Sequence, residues 1–484
     1  MIGRNFKTRI YITSFFLILL LPLFLMNLKK DQVSEIDNRM LTELTGIKAR
    51  NWAEVRTTMW NVEDYLKDRV GLRSVMIDVN EIIYDKVFGI SVHPLFDHGK
   101  NGHIFPKFGK EATDYDSYLP IYADFIKKMQ DYCQARGASF CFALNPSKTI
   151  LYRQFLPNGI SYQFLGYKAL LGYLSERNIR YVDLAEQLLK VKDLLQLPVC
   201  DVKFDVLHWN AHGAFYGLSA ILDEMSKDYP SLSNLNRDDF NFIYNHQISL
   251  QGSRYSIDED TPSYTPKTLH SVNISNDWGE EVRVSEVLPG FVHYKNFKNP
   301  SAPKIFIFHG SHLNVDNATT YIADQFSEAV FVCSYGVISN LPYYFNLFQP
   351  DIVLYEVADR TINRAYLNMP SLESTVLPPA ITAFEDIRET DEFILDGTKE
   401  FVEAVHAEDE HRLMDAAFSV AGARVGYAYM RLDNTCLDFA VQRAEKYSIL
   451  TITLDKRLLS KCHQATIVLI SEELGKKKTV SIEW

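Results

Sequence analysis

Cysteine is scarce in this chain of 484 residues. Cys133, Cys141, Cys200, Cys333, Cys436 and Cys462 are too few and too scattered for a disulfide framework, and the pairing of Cys436 with Cys462 is the one bridge left open. No C-x-x-C pair exists, which argues against a zinc knuckle and against dithiol redox chemistry. Positive charge is also short: 50 Lys and Arg against 61 Asp and Glu leave a net charge of −11. Such a surface repels a phosphate backbone, so nucleic acid is not expected as a partner. Internal repeats and low-complexity tracts are absent. With 47% hydrophobic and 23% charged residues, the composition excludes long disorder, a collagen-like fibre and a polytopic membrane protein. The length allows about three domains at roughly 150 residues each.

One long apolar run stands out. Ile10 to Leu28 carries no charge, is preceded by Arg4, Lys7 and Arg9, and is followed by Lys29, Lys30 and Asp31. About 19 apolar residues are just enough to cross a hydrocarbon core of roughly 30 Å. The flanking cations favour a cytoplasmic N-terminus, which would make the protein single-pass with its bulk extracytoplasmic. A cleaved signal peptide is the competing reading, although no small-x-small cleavage site closes the run.

Further along, residues 31 to 90 show apolar positions at helical spacing, among them Val62, Tyr65, Leu66, Val70, Ile77 and Ile82. An amphipathic stretch from Ser117 ends at Gly137 and feeds the apolar run Ser139 to Leu144, a helix followed by a buried strand. Helical Gln163 to Arg177, strand-like Ile179 to Leu184 and helical Leu184 to Leu195 repeat the alternation, which predicts an α/β fold with a parallel sheet flanked by helices. Residues 230 to 300 break that rhythm as a polar insertion or a pair of hairpins. Short strands then recur at Lys304 to Phe308, Val330 to Cys333 and Asp351 to Val357. After about Phe384 the β-type runs Arg424 to Leu432, Ser448 to Leu454, Ala465 to Ile470 and Thr479 to Ile482 suggest a separate small β-sandwich. The expected organisation is a tail and transmembrane anchor over 1–30, a helical region over 31–105, an α/β catalytic domain over 106–380 and the β-sandwich over 384–484.

Two places carry chemistry. In Asp205-Val206-Leu207-His208, an acid three residues before a histidine sits at the start of a predicted helix. In a turn, that spacing brings the carboxylate to one imidazole nitrogen and leaves the other free as a base. Taken alone, such a pair is more often a helix cap beside a surface histidine. Ser311 follows an apolar strand and Gly310 and precedes a helix, the position of a nucleophile at the carboxyl edge of a parallel sheet. Taken alone, it is more often an ordinary turn serine. Together the two places supply nucleophile, base and orienting acid, the full requirement for acyl transfer through a serine ester.

The combination resembles the SGNH-hydrolase-like polysaccharide O-acetyltransferases of the alginate type, in which the Asp/His block precedes the serine block. The resemblance extends to Asp37-Asn38-Arg39-Met40-Leu41, Tyr65 to Arg73, Asn101 to Phe105, Asn145-Pro146-Ser147-Lys148 with Tyr152 and Pro157, and Asp351 to Arg360. It spans about residues 35 to 365. Three departures are clear. His309-Gly310-Ser311-His312 stands where the family usually shows Gly-Asp-Ser, Asp205 to His208 is one residue longer than the Asp-x-His of the alginate enzymes though it matches the Asp-x-x-His of SGNH esterases, and His103 stands where the family shows Trp. The resemblance implies an SGNH-like catalytic domain, a polysaccharide acceptor and a membrane-bound O-acyltransferase as acetyl supplier. No acetyl-CoA site or other cofactor is expected.

In this reading Ser311 attacks the acetyl donor, His208 is the base and Asp205 orients it. Asn145 and the backbone at Gly310 are candidates for oxyanion or substrate contacts, and Arg360 for an anionic sugar; a turn asparagine and a surface arginine are the plain alternatives. His309 and His312 lack carboxylate or cysteine partners at ligand spacing, so no metal is expected. His93, Asp97, His98 and His103 read as a loop with scattered imidazoles. Tyr427, Tyr429 and Trp484 would stack on sugar rings if the β-sandwich binds carbohydrate, but alternating aromatics in strands are more often core. Two functions compete with transfer: an SGNH-type esterase using the same triad, and a non-catalytic polysaccharide-binding scaffold.

Overall fold

The computed structural model describes residues 2–26, 41–42, 44, 52–84, 87, 96–107, 115–157, 159–160, 165–251, 255–278, 282, 290–364, 366–407, 411–433, 435–444 and 446–484. The motif at Asp37 to Met40 and His93 lie outside these residues. A seven-stranded sheet forms the centre, in the order Tyr181–Asp183, Ser139–Asn145, Ile352–Ala358, Lys304–His309, Glu328–Cys333, Phe291–Lys295, Val272–Asn273. Its inner strands are almost wholly apolar because both faces are covered. Alternate residues divide between the two faces. Phe140, Phe142 and Leu144 meet Tyr122, Ile126 and Leu170 of the helices Tyr115–Gln134 and Leu165–Glu176. Cys141 and Ala143 meet Leu184, Leu188 and Ala214 of the helices Leu184–Leu194 and Ala211–Ser226.

The expected single parallel sheet is corrected here. Strands from Tyr181–Asp183 across to Glu328–Cys333 are parallel, but Phe291–Lys295 joins antiparallel and Val272–Asn273 pairs antiparallel to it. The segment that breaks the helix-strand rhythm thus contributes one strand of opposite sense, Phe291–Lys295, and beyond it Val272–Asn273, which runs in the sense of the inner strands; among the described residues no α-helix lies between the two. It also forms a separate hairpin, Phe240–Ser249 with Ser256–Pro266. The fold is mixed α/β with several sheets.

The membrane anchor is corrected as well. Helix Ile2–Phe24 contains Pro22 and ends there, and the Pro22 carbonyl accepts a hydrogen bond from the Gly71 N–H at 3.0 Å. Its apolar part, from Ile10 to Phe24, is about 22 Å long at 1.5 Å per residue, short of the roughly 30 Å required. Among the described residues no helix is long and apolar enough to cross a membrane, which overturns the single-pass, anchored placement.

Beyond residue 384, two sheets face each other. One runs Arg388–Glu389, Lys476–Glu483, Gln464–Ser471, Val425–Leu432, Thr435–Asp438; the other runs Phe393–Asp396, Leu413–Gly422, Tyr447–Asp455, Ala440–Arg443. Phe418, Leu450 and Ile452 of one pack on Ala428, Met430 and Ile467 of the other. Tyr427 and Tyr429 are buried with Phe384 and Ile470, and Trp484 meets Phe401 edge-on, so these rings serve as core. All six cysteines are free, which removes the Cys436–Cys462 bridge.

Candidate active site

Parallel strands deliver their carboxyl ends to one edge. Ala358 lies opposite Asn145, and Glu356 opposite His309, so Asn145, Ser311 and Arg360 all leave the sheet on the same side. The loop from Val199 to Asn210 reaches over this edge without regular structure, and its polar backbone is tied down at each step. The Val199 N–H donates to the Tyr152 hydroxyl at 3.0 Å. Lys148, buried, donates from Nζ to the carbonyls of Ile104 and Val202, both at 2.8 Å. The Glu259 carboxylate, from the hairpin, accepts the N–H groups of Val202, Lys203 and Phe204 at 2.6, 2.7 and 2.7 Å. Asn210 then caps the helix Ala211–Ser226, accepting the Gly213 N–H at 3.1 Å.

That loop presents the acid and the base. Asp205 Oδ1 accepts the backbone N–H groups of Leu207 and His208 at 2.8 and 3.1 Å, and Oδ2 lies 2.8 Å from His208 Nδ1. His208 Nε2 lies 2.7 Å from Ser311 Oγ, although 103 positions separate the two residues. Burial alone would push the Asp205 carboxyl up, but His208 and the two N–H donors outweigh it and hold it below the usual range. Arg360 Nη2 stands 3.2 Å from His208 Nε2. Because a guanidinium only donates, Nε2 must carry its lone pair and the ring proton sits on Nδ1, facing Asp205.

Trp209 joins the two halves. Its indole N–H donates to the His312 carbonyl at 2.9 Å, next to the nucleophile. Its ring fills space that only glycine leaves: a Cβ at Gly217 would come 2.4 Å from the indole, and one at Gly213 would come 2.6 Å from Trp209 Cβ. The His312 ring meets the His208 ring edge-on at 4.9 Å. Both His312 ring nitrogens are buried without a partner, and burial drives its imidazole far below the usual value.

Gly310 has φ −84° and ψ −170°, extended backbone that any residue adopts, so no tight turn demands it. Space is close, however: a Cβ there would lie 3.1 Å from Tyr335 Cε1, so the ring would have to give by a few tenths of an ångström. The Tyr335 hydroxyl is 3.3 Å from Ser311 Oγ and accepts the Ser311 N–H at 3.3 Å. The Gly310 N–H donates to Glu356, to its backbone carbonyl at 3.2 Å and to Oε2 at 2.9 Å. Asn145 Nδ2 donates to Glu356 Oε1 at 3.1 Å, while Asn145 Oδ1 is buried without a partner. Burial pushes the Glu356 carboxyl up to about 7. Asp359 accepts the N–H and hydroxyl of Ser147 at 2.7 and 3.2 Å, tying the turn after Asn145 to the turn that carries Arg360.

The structure therefore brings Ser311, His208, Asp205 and Arg360 together, with Asn145 and Gly310 meeting at Glu356. His103 is elsewhere, stacked on Phe155 at 4.3 Å. Sequence reasoning missed Glu356 and Tyr335. A carboxylate in the middle of the apolar strand DIVLYEV was a readable signal; nothing local marks Tyr335.

No family model and no curated protein matches this chain. Among solved structures it is similar to Bacillus cereus PatB1 with a sulfonyl adduct, at 16% identity and a TM-score of 0.42, covering 55% of this chain and 94% of that one. It is also similar to the O-acetyltransferase domain of Pseudomonas putida AlgJ, at 13% identity and a TM-score of 0.39, covering 56% and 92%. With overlaps this loose, what the protein does rests on the chemistry of the site itself.

Proposed function

We propose that this protein is an O-acetyltransferase that moves acetyl groups onto a polysaccharide hydroxyl through an ester on Ser311. The observation that carries the reading is the continuous relay from Ser311 Oγ through His208 to Asp205, at 2.7 and 2.8 Å. Ser311 Oγ attacks the acetyl carbonyl while His208 Nε2 takes its proton; collapse expels the donor's leaving group, which receives that proton. An acceptor hydroxyl then gives its proton to His208 and attacks the acetyl-serine, and Ser311 leaves with the proton restored. Asp205 keeps the ring oriented and stabilises the imidazolium in both halves. Arg360, held at His208 in the free protein, is available to an anionic group on the sugar. A membrane-bound O-acyltransferase is the proposed acetyl supplier.

The test uses the full chain with p-nitrophenyl acetate, followed by intact mass. One acetyl group should appear on the wild type and be absent from Ser311→Ala, with turnover down by at least about 10⁴-fold. An unmodified wild type that turns nothing over would sink the reading. Esterase action uses the same relay with water as acceptor, so acetyl retained on added polysaccharide, against free acetate, separates the two.

A further inference from the structure

The relay needs a second part, donors for the negative oxygen that forms when Ser311 adds to the acetyl carbonyl. The Ser311 N–H is one. The neighbouring donors are committed elsewhere: the Gly310 N–H and Asn145 Nδ2 are both held by Glu356, and Arg360 Nη2 is turned to His208 Nε2. We infer that Tyr335 is a catalytic residue, whose hydroxyl completes the oxyanion site together with the Ser311 N–H. This deepens the acyl-transfer reading of the same site and rests on it.

Three observations carry the inference. The Tyr335 oxygen stands 3.3 Å from both Ser311 N and Ser311 Oγ. An oxyanion on a carbon bonded to Oγ therefore forms between a backbone donor and a phenol. In the free protein the phenol oxygen accepts the Ser311 N–H, which keeps that donor satisfied until the acetyl oxygen displaces it. The ring is also held for the purpose. Gly310 leaves room for it, and Tyr366 braces it edge-on at 4.7 Å between centroids. Burial raises the phenol above its ordinary value, so it keeps the proton it must donate. The phenol transfers no proton of its own: it donates a hydrogen bond to the oxyanion, and the leaving group departs with the proton carried by His208 as the carbonyl reforms.

The experiment is a rapid-mixing measurement of p-nitrophenolate release by the full chain, comparing wild type, Ser311→Ala and Tyr335→Phe. Phenylalanine keeps the ring against Gly310 and Tyr366 and removes only the donor. The acylation rate constant of Tyr335→Phe should fall about 100-fold with KM within about twofold, the pattern of an interaction made only in the transition state. If Tyr335→Phe does not fold, Gly310→Ala answers instead: its Cβ, 3.1 Å from the ring and 3.2 Å from the phenol oxygen, displaces the donor by a few tenths of an ångström, and acylation should slow by about tenfold with Ser311 intact. Acylation within about threefold of wild type in either folded variant, with Ser311→Ala inactive, overturns the role of Tyr335 and leaves the acyl-transfer reading standing. A folded wild type that never acylates overturns both.

Discussion

Two buried polar networks, one under the nucleophile and one between the α/β body and the C-terminal sheets, are built from the same kinds of residue and differ in how they end. At the second, Asp438 accepts from Arg136 at 2.9 and 2.7 Å, from Tyr132 at 2.6 Å and from Tyr427 at 2.5 Å. Asn346 pairs with the Asp438 backbone in both directions, at 2.9 and 2.8 Å. The Arg136 guanidinium also covers the Tyr132 ring at 3.8 Å. That network closes on itself. Around Ser311 it does not: Asn145 Oδ1, Arg360 Nε and both nitrogens of His312 are buried without partners. A closed network fixes how two parts of the fold meet, whereas an open one keeps donors and acceptors for something not yet bound.

After loss of the nucleophile itself, the largest effect should come from breaking the open network at its acid. Asp205→Asn keeps an oxygen for the N–H groups of Leu207 and His208 but offers the ring no carboxylate, so His208 loses its tautomer and its imidazolium partner. Acylation should fall on the order of 10³–10⁴-fold, with an unfolding midpoint in urea close to wild type. A variant that acylates normally would mean that Asp205 serves only as a turn.

The closed network should respond in the opposite way. Arg136→Ala leaves Asp438 buried with its counter-charge gone and should cost about 3–5 kcal/mol in urea unfolding, while kcat/KM per folded molecule stays unchanged. Adding Asp438→Asn should return part of the loss, since no charge is then stranded. If instead activity per folded molecule fell as far as in Asp205→Asn, the two networks would be one.

The contrast also marks what could be read from residue order. Asp205 to His208 is a local turn, and Ser311 after an apolar strand is a local position, so the spacing carried both. The contact that joins them spans 103 positions, and the one joining Arg136 to Asp438 spans 302; residue spacing offers no signal at that range. The polar stretch before Phe291 hid its sheet membership because its strands are short and enter antiparallel. The apolar run from Ile10 looked long enough to span a bilayer because hydropathy continues past Phe24, where the helix stops. Nothing in residue order shows that Gly310 faces the Tyr335 ring, where a Cβ would come within 3.1 Å.

The subtlest comparison concerns the proton on Glu356, which belongs to the open network and holds Gly310 in place. Its carboxyl is raised from 4.5 to about 7 by burial, so the folded protein binds this proton more tightly than the unfolded chain. The stability it contributes is present below pH 4.5 and is lost as pH rises through about 7, amounting to about 3 kcal/mol for a shift of this size. Asp201 and Asp359, raised to about 7 and about 6, slope in the same direction, so the informative quantity is the difference between wild type and Glu356→Gln. Glutamine fits if its oxygen takes the Gly310 N–H and its amide faces Asn145, whose unpartnered Oδ1 accepts once that side chain turns over. Urea unfolding between pH 4.5 and 8 should then show wild type losing about 3 kcal/mol more than the variant. Parallel curves would place the Glu356 proton outside folding, and Asn145 Oδ1 would have to find its partner in the substrate instead.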